Sequence, residues 1–351
     1  MSSDLISIQS ILWKIKQGDL SLPEVGTRLE RGTVTSGRGE SPGQLSEQRH
    51  AGKTYKPSQR KRDSETILSL TDAMYSECAA DADALGFMAK MLVQTTLPHR
   101  AQPGKHYTRS DGDVTLSITD LGGAGLPYGA YPRLILVWMT TEALRTGERK
   151  LELGRSLSTF MGQLGLQCTG GHWGTIPRFR GQMERLFGAA ISTRWRRDQG
   201  GQGHVEGANL LLAEEFELWW TPQKLPQAGL AQSSVTLSQR FFEQLVEAPV
   251  PLDLRAIKAL KRSPLSLDLY AWATRRVSYL RRPLRLSWAS FQLSFGAGYA
   301  ETPQGRSRFR GNAIEALRRV KVVYPQLKIE ILRDGVLLYP SLTHIPKSSS
   351  V

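Results

Sequence analysis

The tetrapeptide Arg-Phe-Arg-Gly occurs twice in the chain, at residues 178–181 and again at residues 308–311. Apolar residues recur at helical spacing around each copy, which predicts two helices with Phe179 and Phe309 on their buried faces. The arginine before each phenylalanine and the glycine after it then face outward. An arginine guanidinium is a planar fork that matches a guanine edge or a phosphate, and glycine lets such a group approach closely. These residue types therefore suit the recognition of DNA.

The other residues predicted to face outward extend this chemistry, because asparagine and glutamine can bond to the edge of adenine. The candidate DNA-binding residues of the second copy are Arg306, Arg308, Arg310, Gly311, Asn312, Glu315, Arg318 and Arg319. Those of the first copy are Arg178, Arg180, Gln182 and Arg185. A further basic set, suited to phosphates, ends the helix that precedes the second copy: Arg275, Arg276, Arg281 and Arg282.

Most arginine-bearing surface helices are simply exposed to solvent and bind nothing. The net charge of the chain helps to decide between this interpretation and DNA binding. The chain has 46 Lys and Arg residues against 32 Asp and Glu, a formal net charge of +14. Residues 235–345 alone hold 18 basic and 8 acidic residues. An excess of this size indicates a polyanionic partner, with nucleic acid first and an acidic membrane surface second. We therefore predict that the second copy is the principal reader of DNA.

Further matches at a nearly constant spacing accompany the repeated tetrapeptide. The pairs are Trp138-x-Thr140 with Trp272-x-Thr274, Phe160 with Phe291, and Gly165 with Gly296. Because the matches keep their order, we interpret them as an internal duplication. Each copy is predicted to contain a long helix, a short helix, a turn, a helix and two strands. This order predicts an α+β fold of tandem winged-helix domains, each a helix-turn-helix followed by a β-wing.

Composition divides the chain further. Residues 1–62 are predicted to be a largely disordered basic region, because 31–62 contain eight Lys or Arg against two Glu. This region either contacts nucleic acid nonspecifically or only aids solubility. The first winged-helix domain with its preceding helix is predicted at 63–221, a linker at 222–234, the second domain at 235–345 and a tail at 346–351. A helical pattern runs over 63–95, and Asp-Gly at 334–335 predicts a hairpin within 328–340.

The sequence contains no motif that predicts the active site of a DNA-processing enzyme. A nicking initiator needs a His-hydrophobe-His pair, and no His-x-His occurs in the sequence. Gly52-Lys53-Thr54 is not a phosphate-binding loop, because Glu47 stands where its first glycine is required. The acidic pair Glu214–Glu215 has no identifiable partner for a metal. We expect no enzyme activity, no metal, no cofactor and two reduced cysteines, in a cytoplasmic protein without a secretory signal or membrane span.

Several long segments resemble the RepA-type replication initiators encoded by broad-host-range bacterial plasmids. They are ALGFMAKMLVQTTLPHR (84–100), GLPYGAYPRLILVWMTTEALRT (125–146), LELGRSLSTFMGQLGL (151–166), GGHWGTIPRFRGQMERLF (170–187), PLDLRAIKALKRSPLSLDLYAWATRRVSYLRRP (251–283) and the helix at 306–325. The resemblance covers roughly residues 65–340. It leaves out the first 60 residues.

This resemblance implies a protein that binds direct repeats, called iterons, at a plasmid origin. It implies that the protein promotes melting of an adjacent A·T-rich segment and helps to recruit the host replicative helicase, beside the host initiator. A homodimer in equilibrium with a monomer is implied too, with the first domain serving dimerisation and backbone contacts. The alternative is a winged-helix transcriptional repressor, possibly autoregulatory, that binds DNA without opening it.

Overall fold

The computed structural model describes residues 69–346, apart from 75, 95, 111–113, 155, 200–201, 220–231 and 297. These residues belong to one compact unit, Asp63–Val351. The predicted N-terminal region 1–62, most of the linker 222–234 and nearly all of the tail 346–351 lie outside the described residues. The described part combines helices with antiparallel strands, which confirms the predicted α+β class.

Helices and strands are interspersed along the chain. The helices are α1 Lys90–Gln94, α2 Ala130–Thr146, α3 Leu157–Gln163, α4 Thr175–Phe187, α5 Gln239–Glu247, α6 Leu254–Leu260, α7 Pro264–Val277, α8 Trp288–Phe295 and α9 Pro303–Val323. The strands are β1 Leu85–Ala89, β2 His106–Ser110, β3 Val114–Asp120, β4 Lys150–Gly154, β5 Ala189–Gln199, β6 Gln202–Leu211, β7 Ala213–Glu217, β8 Ser233–Leu237, β9 Pro249–Asp253, β10 Leu284–Ser287, β11 Ile329–Ile331 and β12 Gly335–Leu338.

The strands form small antiparallel sheets. Their orders are β1-β9, β2-β3-β5-β6, β4-β8-β7 and β10-β12-β11. The predicted hairpin within 328–340 is confirmed, since β11 pairs with β12 across the Asp334-Gly335 turn. One hydrophobic core runs from Met88 to Leu338 and includes side chains of both halves. The predicted division into two domains at 222–234 therefore separates halves that share a core, and that boundary stays a prediction.

The prediction of one helix over 63–95 is wrong. Residues 69–74 are helical, but Asp83 has a left-handed backbone (φ 48°) and Leu85–Ala89 is strand β1. This strand pairs with β9, with Leu85 opposite Asp253 and Ala89 opposite Pro249. Pairing with a buried strand from the second half outweighs the weak local preference for a helix.

Two repeat units follow from the duplicated segments. The first unit is residues 130–211, with α2, β4, α3, α4, β5 and β6, and the second is residues 264–338, with α7, β10, α8, α9, β11 and β12. In each unit, a tryptophan of the long helix, a phenylalanine of the short helix and the phenylalanine of RFRG form a chain of ring contacts. The centroid distances are 4.7 and 5.8 Å along Trp138–Phe160–Phe179, and 5.8 and 6.2 Å along Trp272–Phe291–Phe309.

Equivalent hydrogen bonds support the same alignment. The hydroxyls of Thr140 and Thr274, both buried, donate to the carbonyls four residues earlier at 2.8 and 2.9 Å. Ser156 and Ser287 cap the first turns of α3 and α8, each accepting from the backbone N–H three residues later. These equivalent bonds fit a duplication with the offsets seen in the sequence.

Strand pairing distinguishes the two units. In the second unit, β10 pairs with β12, so the unit forms its own three-stranded sheet. In the first unit, β4 pairs instead with β8, while β5 and β6 extend the sheet of β2 and β3. The two units therefore share the order of their elements, but among the described strands only those of the first unit pair with strands outside the unit.

Candidate nucleic-acid interface

Helix α9 carries the second tetrapeptide and has one apolar face. It begins after Thr302, whose hydroxyl accepts from the Gly305 N–H at 3.1 Å, and Pro303 occupies its first turn. Its buried side chains are Phe309, Ala313, Ala316, Leu317, Val320 and Val323. Phe309 is only 1% exposed, so it anchors the helix in the core as predicted. This burial fixes which residues of α9 face solvent.

The exposed face of α9 is basic. Arg306, Arg308, Arg318 and Arg319 are exposed, and the described residues offer no ion pair to the first three. Arg319 lies 3.3 Å from Glu315, one turn earlier, so part of its charge is offset. Beside them, Gly311 is exposed and a side chain added there would meet no atom within 4 Å. The helix thus presents arginines around an open patch of backbone.

Two predicted site residues of α9 have partners within the second unit. The side-chain amide of Asn312 donates to the Tyr299 hydroxyl at 2.7 Å, while Asn312 itself stays exposed. Arg310 is half-buried, and its guanidinium lies 5.4 Å from the ring centroid of Trp288. A cation over an aromatic face is held in place. Arg310 therefore lies beside the exposed face and packs on α8.

The basic set at the end of α7 is organised by a tyrosine that the sequence analysis missed. The guanidiniums of Arg275 and Arg276 lie 5.3 and 5.2 Å from the Tyr279 ring, and both donate to its hydroxyl. Arg281 and Arg282 follow in an exposed turn. The spacing of three and four residues between the arginines and the tyrosine was a detectable signal, because such residues are neighbours on a helix. Tyr279 therefore orients the guanidiniums of Arg275 and Arg276 at one end of the second unit.

The β-hairpin of the second unit is tied to β10 by an ion pair. Arg285 on β10 pairs with Asp334 in the hairpin turn. The hydrogen bond from Arg285 lowers the pKa of the Asp334 carboxyl below its ordinary value. The backbone N–H of Trp288 also donates to the carbonyl of Asp334, at 3.0 Å. These bonds orient the hairpin against the start of α8.

In the first unit, α4 exposes a smaller basic face. Arg178 is exposed and its Nε donates to the carbonyl of Gly174 at 3.0 Å. Arg180 is exposed with its Nε 3.8 Å from Glu184. A side chain added at Gly181 would meet no atom within 4 Å, as at Gly311. Phe179 is fully buried, so the predicted anchoring of this copy is confirmed.

The predicted outward orientation of Gln182 is wrong. Gln182 is only 7% exposed, and its amide oxygen accepts from the Tyr128 N–H at 2.9 Å. A buried backbone N–H needs a partner, and Gln182 supplies it. Arg185 is half-buried rather than open, since its guanidinium lies 5.2 Å from the Tyr128 ring and donates to the Leu126 carbonyl. Both side chains hold the loop before α2, which local sequence periodicity did not reveal.

The β5–β6 ribbon adds two exposed arginines that the sequence did not assign to the interface. Arg194 and Arg196 are exposed on β5, opposite Gly207 and Val205 of β6. Both point to the same side of the strand, since strand residues alternate. The ribbon therefore carries a second cationic surface in the first unit.

The acidic pair singled out in the sequence lies on strand β7. Glu214 and Glu215 are exposed there, and Glu214 pairs with Arg149. Within the described ranges, no three His, Cys, Asp or Glu residues are grouped so that they could hold a metal ion. Over the same residues, no helix has the length and apolar character needed to cross a bilayer.

Comparison with known proteins gives a match to one family over part of the chain. Residues 126–289 match the family described as "Plasmid encoded RepA protein", which confirms the resemblance noted in the sequence. The match runs from the loop before α2 to the start of α8, so α9 lies beyond it. No curated protein matches the chain.

Two crystal structures show a weak similarity to this chain. One is of RctB domains 2 and 3, with 12% identity, a TM-score of 0.45, and coverage of 70% of this chain and 94% of that chain. The other is of selenomethionine derivatives of the same domains, with 10% identity, a TM-score of 0.46, and coverage of 72% and 96%.

Proposed function

We propose, because residues 126–289 match the plasmid-encoded RepA family, that this protein is a plasmid replication initiator that binds double-stranded DNA at specific sequences. It binds direct repeats at the plasmid origin, promotes local melting of the A·T-rich duplex beside them and helps to recruit the host replicative helicase with the host initiator. The observation that carries DNA binding is helix α9, whose buried apolar face leaves Arg308, Gly311, Arg318 and Arg319 exposed on the opposite face.

In this proposal, each repeat unit is a winged helix, and α4 and α9 are its recognition helices. The order of elements in both units supports this, as does the three-stranded sheet β10-β12-β11 of the second. The second unit is the principal reader of bases. The burial of Gln182 and the packing of Arg185 against Tyr128 support a smaller reading role for the first unit, which instead contacts the backbone and serves dimerisation.

Residues of the second unit divide into two roles. Arg308 reads a guanine edge in the major groove, and the bare backbone at Gly311 lets the DNA come close. The cluster of Arg275, Arg276 and Tyr279, with the exposed turn that follows it, contacts phosphates and sets the register. Because Tyr279 already holds both guanidiniums, less side-chain entropy is lost on binding.

We propose that the protein acts by binding alone, without cofactor, in the bacterial cytoplasm. Incubation of the pure protein with supercoiled origin DNA and Mg²⁺ then leaves the DNA intact. A nicked product that depends on the protein would show an enzyme.

The experiment that tests the proposed function has two stages. Duplexes are first selected from a random pool by the protein, and affinity for the selected duplex is compared with that for a scrambled one. We expect a preference of about a thousandfold or more, and a steep loss of affinity with salt. Equal affinity for the two duplexes would reject sequence-specific binding.

The second stage distinguishes an initiator from a repressor. Permanganate, which oxidises unpaired thymines, is applied to supercoiled plasmid carrying the origin, with and without the protein. An initiator makes thymines beside the bound repeats reactive. Protection of an inverted repeat with no reactive thymines would identify a repressor.

A further inference from the structure

We infer that Arg109 and Lys261 are positioning residues through which each half of the protein holds a helix-turn-helix of the other half. The helices concerned are α3 and α8, which lie at equivalent positions in the two units and precede the turns leading into α4 and α9. The C-terminal end of each of these helices is met by a basic side chain from the opposite half of the chain.

Arg109 belongs to strand β2, in the first half, and reaches the end of α8 in the second. Its Nε and Nη2 donate to the carbonyl of Leu293 at 2.9 and 2.6 Å, and Nη2 also donates to the carbonyl of Gln292 at 3.1 Å. Its Nη1 donates to the hydroxyl of buried Thr96 at 3.1 Å, which orients the guanidinium. The Gln292 carbonyl also accepts the N–H of Gly296, the bond that ends α8. Arg109 therefore meets the negative end of α8 and the bond at which its turn begins.

Lys261 follows α6, in the second half, and reaches the turn after α3 in the first. Its ammonium donates to the carbonyl of Gly165, which has a left-handed backbone (φ 68°). Gly165 N–H bonds to Gly162 O and Leu166 N–H to Met161 O, both at 2.8 Å, and these two bonds close the end of α3. A side chain added at Gly165 would lie 3.4 Å from the stem of Lys258. Lys261 thus holds the residue at which the chain leaves α3.

The two contacts are reciprocal, so each half of the chain holds a turn of the other half. Each turn sets the direction in which the following helix leaves, so each half fixes the direction of the other half's α4 or α9. For its effect on DNA, this inference rests on the proposed function, since only there are α4 and α9 recognition helices. The structural part stands on the contacts alone and is tested without DNA.

The test is hydrogen–deuterium exchange measured on peptides of the full chain, with Arg109→Gln and Lys261→Gln as separate variants. In R109Q, we expect the amides of Gly296 and Tyr299 to exchange about tenfold faster, because a hydrogen bond from a charged donor is among the stronger ones. The amides of Gly165 and Leu166 should keep their wild-type rates. In K261Q, we expect the opposite pattern.

Matched controls are Lys105→Gln and Lys328→Gln, which remove exposed charges from the first and second halves without touching either turn. Faster exchange in both turns of each variant would mean general destabilisation and would overturn the inference. Wild-type rates in the turn that the replaced side chain contacts would overturn it as well. Where R109Q does not fold, Arg109→Lys keeps the charge with fewer donors, and a smaller change at Gly296 and Tyr299 is expected. Wild-type rates there in R109K would equally overturn it.

A DNA readout separates this inference from the proposed function. If the wild-type protein selects a duplex, R109Q should lose part of its preference for it and K105Q should not. If each variant speeds exchange only in the turn of the opposite half but the wild-type protein selects no duplex, the proposed function is rejected and the positioning roles stand. If the protein selects a duplex but the variants do not show this exchange pattern, the positioning roles are rejected and the proposed function stands.

Discussion

The rings of Phe291 and Phe309 lie 6.2 Å apart, and this contact joins the two helices on either side of the turn in the second unit. Phe160 and Phe179 make the equivalent contact at 5.8 Å in the first. Both second-unit rings are almost completely buried, so the exposed face of α9 is fixed from beneath. Loss of this contact should therefore both destabilise the fold and change which residues of α9 are exposed.

Replacement of Phe309 by alanine should reduce both stability and DNA binding. Deleting a buried phenylalanine costs about 3–5 kcal/mol, because apolar contacts are lost and a cavity remains. Thermal unfolding followed by circular dichroism measures the loss. The matched control is Val322→Ala, at a position of the same helix that is 38% exposed, and it should change the melting temperature little. An unchanged melting temperature in F309A would show that the ring does not anchor α9.

Replacement of Arg308 by alanine should weaken DNA binding without lowering stability, because its side chain is exposed. If Arg308 reads a guanine, the loss is about 1–3 kcal/mol and falls on one base position. Affinities for the selected duplex and for its single-base variants measure this. Arg240→Ala, an exposed arginine of α5, controls for the lost charge. An equal loss on every sequence would make Arg308 a phosphate contact, and no loss would remove it from the interface.

The two halves are also joined by a buried ion pair, which makes Asp268 a sensitive position. Arg133 on α2 donates to both oxygens of Asp268 on α7, at 2.6 and 2.8 Å, and both side chains are at most 5% exposed. Asp268→Asn leaves the Arg133 charge buried without its counter-ion, so we expect a loss of about 3–5 kcal/mol in unfolding free energy. Asp334→Asn breaks an exposed pair and should cost little. Similar losses in the two variants, measured by urea unfolding, would contradict this account.

Acid should destabilise the protein partly through His344. Burial lowers the pKa of His344 from 6.5 to about 4, and the imidazole stacks on Tyr324 and bonds to the Tyr270 hydroxyl at 2.7 Å. Since the folded state favours the neutral ring, the unfolded chain gains a proton first as the pH falls below 6.5. Stability is then lost progressively until about pH 4, with about 2 kcal/mol gone between pH 7 and 5.

Comparison of His344→Gln with wild type isolates this contribution. Burial also lowers the pKa of His99, which acts in the same direction and stays in both proteins. The variant should lose less stability than wild type between pH 7 and 5, as measured by urea unfolding at each pH. His106→Gln, at an exposed histidine, should behave as wild type. Equal slopes for H344Q and wild type would show that His344 does not titrate with unfolding.

The sequence predicted α9 from residue 306 onward, together with its faces, because its apolar residues are strongly periodic. It did not predict that the helix begins at Pro303, after the Thr302 cap. It did not predict β1, because residues 85–89 form a strand only through pairing with β9, more than 150 residues later. The same reason applies to Gln182. Its position three residues after Phe179 lies at the border of the apolar stripe, and a loop amide at Tyr128 decided its orientation.

Contacts between the halves were equally beyond the sequence. Arg133 reads as one helix residue among others, and its partner Asp268 lies 135 residues away. The role of Tyr279, by contrast, could have been predicted from the sequence. Its spacing from Arg275 and Arg276 places the three side chains together at one end of a helix. Local patterns thus predicted the repeat units, and only the three-dimensional structure revealed how one half supports the other.

The most direct measurement of the proposed function is a nuclease footprint of the wild-type protein on the plasmid DNA that flanks its own coding sequence. The account predicts several protected sites in the same orientation, beside an A·T-rich stretch. It also predicts that R308A loses them while R240A keeps them. If both repeat units are winged helices, as proposed, they should cover about two helical turns at each site. Protection of a single inverted repeat, or no protection at salt concentrations where the protein binds nonspecifically, would contradict it.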